Sequence, residues 1–430
     1  FYIFNEDKSR FNLSNNKIIS NNISKDKIRY TKVPRRRAGI WYLLFVITLF
    51  KRQKIASMRS GTKSHYYSVI NHEMRQIGKR NVILAKIAGL PFLYQIIRQL
   101  FILKLGINKE IEDLIKIDKP DLIIHPSFLH GYYINDLFRA SKKFKVPFII
   151  LANSWDNCCT NAFSTGIPDK LVVWGEQARV HAKKYLNVPN EKVECFGAAQ
   201  FEIYNKFPEE DRKQLADFFE VDPTKKIILY AGVGASESET IYLKLLENAI
   251  KNSLLPDCHI IYRPHPWRGR LVNSEEDFLS LEWDHISIDP TMREYYKNVI
   301  KNPSGKMHLA DYSISNKLLT LVDAVISPLS TMLIEALLKG KPCLAFFPET
   351  DQNEPTRVEN LHFAEFIALK ETNSCFKADQ FIPTCQKLLS QIGNEQLSRK
   401  LKKNAEFFVS RKDKTYGYQL RELVEKMISN

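Results

Sequence analysis

Short apolar runs alternate with helix-length segments along most of this 430-residue chain. In the first half, strands are predicted at 121–125, 146–152, 170–174 and 193–196, and helices at 108–117, 133–144 and 177–186. The second half repeats the pattern, with strands at 226–231, 259–262, 324–327 and 342–347, and helices at 237–252, 314–321, 331–339 and 380–391. Such alternation is typical of parallel sheets covered by helices. We therefore predict an α/β fold.

A charged segment at 206–225 separates the two halves. It carries Pro208 and Pro223 and one short helical pattern at 210–219, which is typical of a connection. At about 150 residues per domain, the length agrees with at least two domains. We predict a first domain at 1–205, a connection at 206–225, a second domain at 226–395 and a helical tail at 396–430.

The excess of positive charge lies in the first quarter of the chain. The first 110 residues hold 22 Lys and Arg against 5 Asp and Glu, whereas the remainder holds 41 against 43. Two apolar, aromatic stretches at 38–50 and 83–105 lie among these basic residues, with three arginines at 35–37. Basic, apolar helices are attracted to anionic bilayers, so we predict an anionic membrane surface as a partner. Two ordinary core helices are the alternative.

Other features narrow the class of protein. The run 38–50 is too short to span a bilayer, which takes about 20 apolar residues, and no secretory signal is recognised. The seven cysteines form no C-x-x-C pair and no zinc spacing with histidine, which is typical of a reducing compartment.

No nucleic-acid-binding module accompanies the charge, so no nucleic-acid partner is expected. We expect a cytoplasmic protein, peripherally bound to the inner face of the membrane. Since the chain begins at Phe1, we expect a fragment or a processed form.

A glycine-rich turn follows the first predicted strand of the second half. Gly232 and Gly234 can take backbone angles closed to other residues, so that main-chain N–H groups approach an anion. Ser236 can cap the next helix or bind a phosphate oxygen. The turn lacks the complete dinucleotide fingerprint and the P-loop lysine. An ordinary strand–helix turn is an equal alternative.

A proline-stiffened loop follows the next strand. Two prolines bracket His265, and Arg263 and Arg268 lie on either side. Rigid donors at the carboxyl end of a strand lie where α/β sheets bind ligands. We predict that this loop binds a phosphate and that His265 assists a leaving group.

A third motif places Ser330 and Thr331 at the start of a helix that follows a strand. Hydroxyls and unpaired N–H groups at a helix start form an anion site. Glu335 lies one turn further on, among apolar residues, where burying a carboxylate without a partner is costly. A ribose diol would supply two donors, and a solvent-facing glutamate is the alternative.

These three motifs, in this order, resemble the nucleotide-binding C-terminal domain of GT-B glycosyltransferases over residues 226–347. Within that superfamily the chain is most similar to bacterial surface-polysaccharide transferases. It is also similar to CDP-glycerol glycerophosphotransferases and to non-hydrolysing UDP-GlcNAc 2-epimerases. The resemblance implies two Rossmann-like domains facing a cleft. It also implies that His265, Ser330 and Thr331 hold nucleotide phosphates and that Glu335 holds the ribose.

Polar residues also follow strands in the first half. The segment 153–157, Asn-Ser-Trp-Asp-Asn, resembles the acceptor-side domain of some surface-glycan transferases. Asp156 can accept a proton from a sugar hydroxyl, and an Asx turn is the alternative. We predict Asp156 as a catalytic base, with further acceptor-side candidates at Asn153, Asn157, His125 and His130.

The sequence thus predicts an enzyme that transfers a sugar from a nucleotide-sugar donor to a surface-glycan or lipid-linked acceptor. No D-x-D motif is found, so we expect neither a metal nor another cofactor. Helix termini, His265 and arginines would then balance the diphosphate charge. Transfer of glycerol phosphate from CDP-glycerol and epimerisation of a nucleotide sugar are the alternatives. A non-catalytic carbohydrate-binding or nucleic-acid-binding protein would leave these motifs without a purpose.

Overall fold

The structure is a computed structural model that describes residues 2–4, 29–31, 35–60, 70, 79–127, 134–160, 162–233, 239–266, 278–302, 311–347 and 361–429. The chain divides into two compact units. The first contains Phe1–Val173, Ala178–Glu194 and Arg421–Asn430, and the second contains Trp174–Gln177 and Cys195–Leu420. The second unit thus includes residues 195–205, which the sequence analysis grouped with the first domain.

The first unit begins with two strands that pair in parallel, β1 (Tyr2–Phe4) and β2 (Arg29–Thr31). The helices described with defined bounds after these strands share one core: α1 (Arg35–Ser60), α2 (Lys79–Ala88) and α3 (Pro91–Leu105). In α1, Trp41, Leu44 and Phe45 are inaccessible to solvent, because the helix is apolar on most of its surface there. The prediction that the stretch 38–50 faces a membrane is therefore wrong, and the core-helix alternative describes it.

The main sheet of the first unit has the strand order β3-β4-β5-β6. Its strands are β3 (Ile123–His125), β4 (Phe148–Leu151), β5 (Lys170–Val173) and β6 (Val193–Cys195), with β3–β4 and β4–β5 parallel. The associated helices are α4 (Lys109–Asp118), α5 (Ile134–Phe144) and α6 (Glu176–Leu186). Residues 148–150 of β4 are fully buried, as expected for a strand covered on both faces.

The second unit contains a six-stranded sheet with the order β12-β11-β10-β7-β8-β9. These strands are β7 (Lys226–Ala231), β8 (Cys258–Arg263), β9 (Ile286–Ile288), β10 (Ala324–Pro328), β11 (Cys343–Phe346) and β12 (Asn373–Cys375). All five pairs are parallel. Since β7 pairs with β8 on one side and β10 on the other, the strand order reverses at β7. Open α/β sheets bind ligands at the carboxyl ends of strands at such a point.

Nine helices are described after β6. They are α7 (Arg212–Phe218), α8 (Glu239–Lys251), α9 (Pro290–Lys301), α10 (Tyr312–Leu321), α11 (Met332–Lys339), α12 (Leu361–Ile367), α13 (Phe381–Ser390), α14 (Glu395–Phe408) and α15 (Tyr416–Ile428). The tail predicted as one helical segment is two helices, α14 and α15. Gly340 ends α11 with a φ of 67°, and a Cβ there would lie 2.4 Å from Ser398 Oγ. Only glycine fits this left-handed, close-packed position.

The α/β prediction with parallel sheets is confirmed. The elements not predicted from the sequence include β9, β12 and α9. The two strands have only three residues each, and such short elements carry little periodic signal.

Candidate functional site

A pocket of about 370 Å³ lies in the second unit, at the carboxyl ends of β7, β8 and β10. Segments that follow these three strands supply most of the lining. The lining residues are Ala231, Gly232, Val233, Arg263, Pro264, His265, Pro266, Met292, Tyr312, Ser315, Leu329, Ser330, Thr331, Met332 and Glu335. The pocket therefore occupies the point of strand-order reversal, where the topology favours ligand binding.

Six of the predicted nucleotide-site residues lie together in this pocket: Gly232, Arg263, His265, Ser330, Thr331 and Glu335. They come from three segments that are far apart in the sequence. Gly234, Ser236 and Arg268, predicted for the same site, lie outside the described residues. The assembly of the six follows from the parallel order of β7, β8 and β10.

The start of α11 forms one wall of the pocket. Ser327 Oγ donates to the Ala231 carbonyl at 2.8 Å and lies 2.7 Å from Ser330 Oγ, which fixes the turn before the helix. Leu333 N and Ile334 N donate to the Ser330 and Thr331 carbonyls at 3.2 and 2.9 Å. Thr331 makes no side-chain capping bond. A helix start with a positive dipole end and an uncommitted hydroxyl suits an anion.

A buried ion pair holds Arg263 at the pocket. Its Nε lies 3.2 Å from Asp289 Oδ2, and its guanidinium donates to Ser315 Oγ at 3.1 Å. Asp289 is fully buried and also accepts from Thr291 N at 2.9 Å and Thr291 Oγ1 at 2.7 Å. Both partners are therefore fixed, and a positive charge is held beside the pocket. Neither Asp289 nor Ser315 was identified from the sequence.

Glu335 is buried in the pocket wall and accepts a hydrogen bond from Tyr204 Oη. Burial raises the pKa of Glu335, while the Tyr204 hydrogen bond and the charge of Arg263 act in the opposite direction. Burial and the neighbouring carboxylate raise the pKa of Tyr204, so its phenol stays protonated and donates. The solvent-facing alternative for Glu335 is wrong. The expected partner was a ribose, but the protein itself supplies one donor.

An aromatic group holds Tyr204 in place. Its ring stacks on Phe201 at a centroid distance of 5.4 Å, and Phe201 contacts Tyr312 edge-on at 5.7 Å. Trp174 meets Phe201 edge-on at 5.2 Å. These contacts order the phenol that orients the Glu335 carboxylate.

His265 lies on the proline-bracketed loop after β8. Burial lowers its pKa below the usual 6.5, so the imidazole is neutral at pH 7. A neutral imidazole donates through one ring nitrogen only. Tyr295 Oη donates to the Pro266 carbonyl at 2.6 Å and so anchors the end of the loop.

Gly232 is required for a reason that differs from the one expected. Its φ is not positive, but a Cβ there would lie 2.5 Å from Glu239 Oε2. The buried Glu239 accepts from Val233 N at 2.5 Å and from Tyr262 Oη at 2.8 Å. The glycine therefore admits a carboxylate that fixes the turn after β7. Glu239 was not identified from the sequence.

No protein-family model matches the chain, and no curated protein matches it. Solved structures with a similar backbone include UDP-N-acetylglucosamine 2-epimerase from Rickettsia bellii, with 16% identity, a TM-score of 0.45, and coverage of 74% of this chain and 77% of that chain. They also include the wall teichoic acid polymerase TagF, with 12% identity, a TM-score of 0.41, and coverage of 74% of this chain and 93% of that chain. Anabaena HepE in complex with UDP and glucose has 11% identity, a TM-score of 0.40, and coverage of 75% of this chain and 81% of that chain. At these values the similarity carries no conclusion about function, which must be argued from the pocket.

The first-unit candidates form mainly local hydrogen bonds. His125 Nδ1 lies 2.5 Å from the Ser127 carbonyl, and burial lowers the pKa of His125. Asp156 closes a turn through its backbone carbonyl, which accepts from Thr160 Oγ1 at 2.9 Å and from Thr160 N at 3.1 Å. Its side chain accepts from Asn157 Nδ2 at 3.3 Å. Asp156 as a base stays a prediction.

The remaining acceptor-side candidates differ in exposure. Asn153 is exposed and Asn157 is buried, while His130 lies outside the described residues. Their roles stay predictions. Among the described residues, no group of three His, Cys, Asp or Glu side chains is placed to hold a metal ion.

Proposed function

We propose that the pocket of the second unit binds the nucleoside diphosphate part of a nucleotide sugar, and that the protein is a glycosyltransferase. The observation that carries this proposal is the convergence of a helix start, a fixed arginine, a histidine and a buried carboxylate in one pocket. A nucleoside diphosphate needs cationic and N–H donors for its phosphates and an acceptor for its ribose hydroxyls.

Each part of the ligand has a matching part of the pocket. The start of α11, with Ser330 and Thr331, takes the diphosphate, and His265 adds one N–H donor. Glu335, oriented by Tyr204, accepts from the ribose hydroxyls. The apolar lining receives the flat base, and it comprises Pro264, Met292, Leu329 and Met332. This division accounts for both the charge and the apolar surface of the pocket.

The reaction requires stabilisation of a departing diphosphate. An acceptor hydroxyl attacks the anomeric carbon, the bond from that carbon to the diphosphate oxygen breaks, and the hydroxyl proton passes to a base. Asp156 is our candidate for that base. The donors at α11 and His265 stabilise the charge that develops on the leaving group. We propose that these protein groups suffice without a divalent metal.

A thermal-shift series with UDP, GDP, CMP, CDP and dTDP tests the nucleotide site. A nucleotide present at about 100 times its dissociation constant adds about 2.7 kcal/mol to stability, so at least one should raise the melting temperature clearly. Addition of EDTA should leave that shift unchanged. If no nucleotide raises the melting temperature, the proposal fails.

Two threonine variants give a matched comparison. Thr331→Val should abolish most of the shift because it removes a hydroxyl from the start of α11. Thr384→Val removes a hydroxyl that donates to the Gln380 carbonyl, outside the pocket, and should retain the shift. Equal loss in both variants would contradict the assignment.

The protein is then incubated with the nucleotide sugar that contains the nucleotide giving the largest thermal shift. The reaction products distinguish the candidate activities. Release of a nucleoside diphosphate with a new glycosidic bond supports the proposal. Release of CMP from CDP-glycerol, or an epimerised nucleotide sugar without transfer, would replace the proposal with the corresponding alternative.

A further inference from the structure

The second apolar stretch of the first unit lies at the surface, unlike the first stretch. Seven large apolar side chains of α2 and α3 are between 51% and 73% exposed: Ile83, Leu84, Ile87, Phe92, Ile96, Leu100 and Leu103. We call these seven residues the apolar face. Folded monomers rarely expose so many neighbouring apolar side chains without a binding role.

The sequence spacing places most of this face on one side of α3. Phe92, Ile96, Leu100 and Leu103 follow one another at intervals of four, four and three residues, so they form a single stripe along the helix. Ile83, Leu84 and Ile87 add a patch on α2.

The opposite side of the same helices is fixed in the core. Ala85, Ala88 and Tyr94 are buried against α1, and Tyr94 Oη lies 2.9 Å from Thr48 Oγ1. A Cβ at Gly89 would lie 2.7 Å from Phe50 Cβ, so the break between α2 and α3 is tightly packed against α1. The apolar face is therefore held outward by packing on the other side.

The two helices meet at a bend of 113°. Among the described residues, no single helix is long and apolar enough to cross a membrane, and this bent pair reaches that length and hydropathy only when its two helices are taken together. A bent pair with one buried and one exposed side matches an interfacial segment whose apolar side chains enter a bilayer by about 5–10 Å.

The charge of this segment identifies the occupant of the face. Residues 79–105 contain five basic residues, at 79, 80, 86, 98 and 104, and no Asp or Glu. Lys86 and Lys104 are exposed beside the apolar face. A second copy of the same basic face would repel the first, whereas anionic headgroups attract it.

We propose that α2 and α3 lie in the headgroup layer of an anionic bilayer, with the apolar face inserted and Lys86 and Lys104 at the phosphates. The proposal is independent of the nucleotide site. It assigns membrane contact to residues 83–104 and removes it from the stretch 38–50.

Flotation of the full chain with vesicles tests the predicted attraction of the lysines to anionic headgroups. The protein should float with vesicles of equal parts phosphatidylglycerol and phosphatidylcholine at low salt, and much less with phosphatidylcholine alone. Each lysine near the surface changes partitioning about fivefold, so Lys86→Gln with Lys104→Gln should weaken binding about 30-fold. The control pair Lys400→Gln with Lys403→Gln, at exposed positions of α14, should bind as the unmodified protein. Binding equal in both pairs would overturn the proposal.

Fluorescence quenching tests insertion with a mild substitution. Phe92→Trp should show a blue-shifted emission with the anionic vesicles, and brominated lipid chains should quench it. Phe207→Trp replaces another highly exposed phenylalanine, in the second unit, and should show neither effect. Absence of quenching for Phe92→Trp would show that the apolar face does not insert.

Light scattering without lipid tests the alternative that a second copy of the chain covers the apolar face. If the face joins two copies, the protein should be a dimer, and Phe92→Ser with Leu103→Ser should make it a monomer with unchanged flotation. That result would overturn the proposal. The proposal is supported if the unmodified protein and the double variant have the same size in solution and the double variant binds vesicles about 100-fold more weakly.

Discussion

The carboxyl ends of the two parallel sheets carry polar residues that are held in different ways. In the second unit, the pocket groups are paired with distant residues: Arg263 with Asp289, and Glu335 with Tyr204. In the first unit, His125 bonds to Ser127, and Asp156 bonds within its own turn. Distant, buried partners preorganise charges for binding, whereas the first-unit groups depend on the conformation of their own turns.

The largest expected effect concerns Asp156. Asp156→Asn should lower turnover about 10²–10⁴-fold, because an amide cannot take the acceptor proton. Nucleotide affinity should not change, since Asp156 does not line the pocket of the second unit. Steady-state rates and calorimetry on the same preparation check both statements. A variant with normal turnover would remove Asp156 from the chemistry.

The next effect concerns the buried ion pair. Arg263→Met leaves the fully buried Asp289 without its charge partner, so the free energy of unfolding should fall by about 3–5 kcal/mol. Arg293→Met breaks a more exposed pair with Glu220, and should cost about 0–1 kcal/mol. Urea denaturation measures both. Adding Asp289→Asn to Arg263→Met should restore part of the lost free energy of unfolding. If Arg263→Met alone costs no more than Arg293→Met, the buried pair does not have the predicted importance for stability.

A smaller effect is expected at the carboxylate of the pocket. Glu335→Gln keeps an acceptor for Tyr204 but removes the charge, so nucleotide binding should weaken by about 1–3 kcal/mol. Glu247→Gln alters another buried carboxylate of the second unit, outside the pocket, and should leave affinity unchanged. Calorimetric titration with the nucleotide that gives the largest thermal shift compares the two. Equal affinities would end the ribose assignment.

The smallest expected effect concerns His125 in the first unit and His265 in the second, and it is a change in the pH dependence of stability. Burial lowers both pKa values below 6.5, so the unfolded chain binds protons more readily, and stability should fall as the pH drops below 6.5. His125→Gln and His265→Gln should each reduce this fall. Only His265→Gln should also weaken nucleotide binding, by up to about tenfold. Melting curves between pH 5 and pH 7.5, with and without nucleotide, would show whether the histidines differ in this way.

Local patterns in the sequence were sufficient to predict some parts of the site. Ser330, Thr331 and Glu335 were identified because a strand, a polar turn and a helix follow one another directly. Asp289, Tyr204 and Glu239 were missed because each meets its partner only through the packing of separate elements. Periodicity does not encode such pairs. Hydrophobicity likewise marked both 38–50 and 83–105 as apolar, but only the packed structure shows which side of each helix is covered.

The backbone carbonyl of Trp174 has a consequence for biosynthesis. It accepts hydrogen bonds from Gly197 N at 3.1 Å and from Ser410 N at 2.8 Å, and a Cβ at the adjacent Gly175 would lie 2.6 Å from the Phe408 carbonyl. Trp174 and Ser410 lie at opposite ends of the chain that forms the second unit. During translation, which proceeds from the amino terminus, this closure must wait until Ser410 leaves the ribosome. Premature termination between Glu335 and Ser410 would therefore release a chain whose pocket-bearing unit is incomplete, even though every residue lining the pocket had been made.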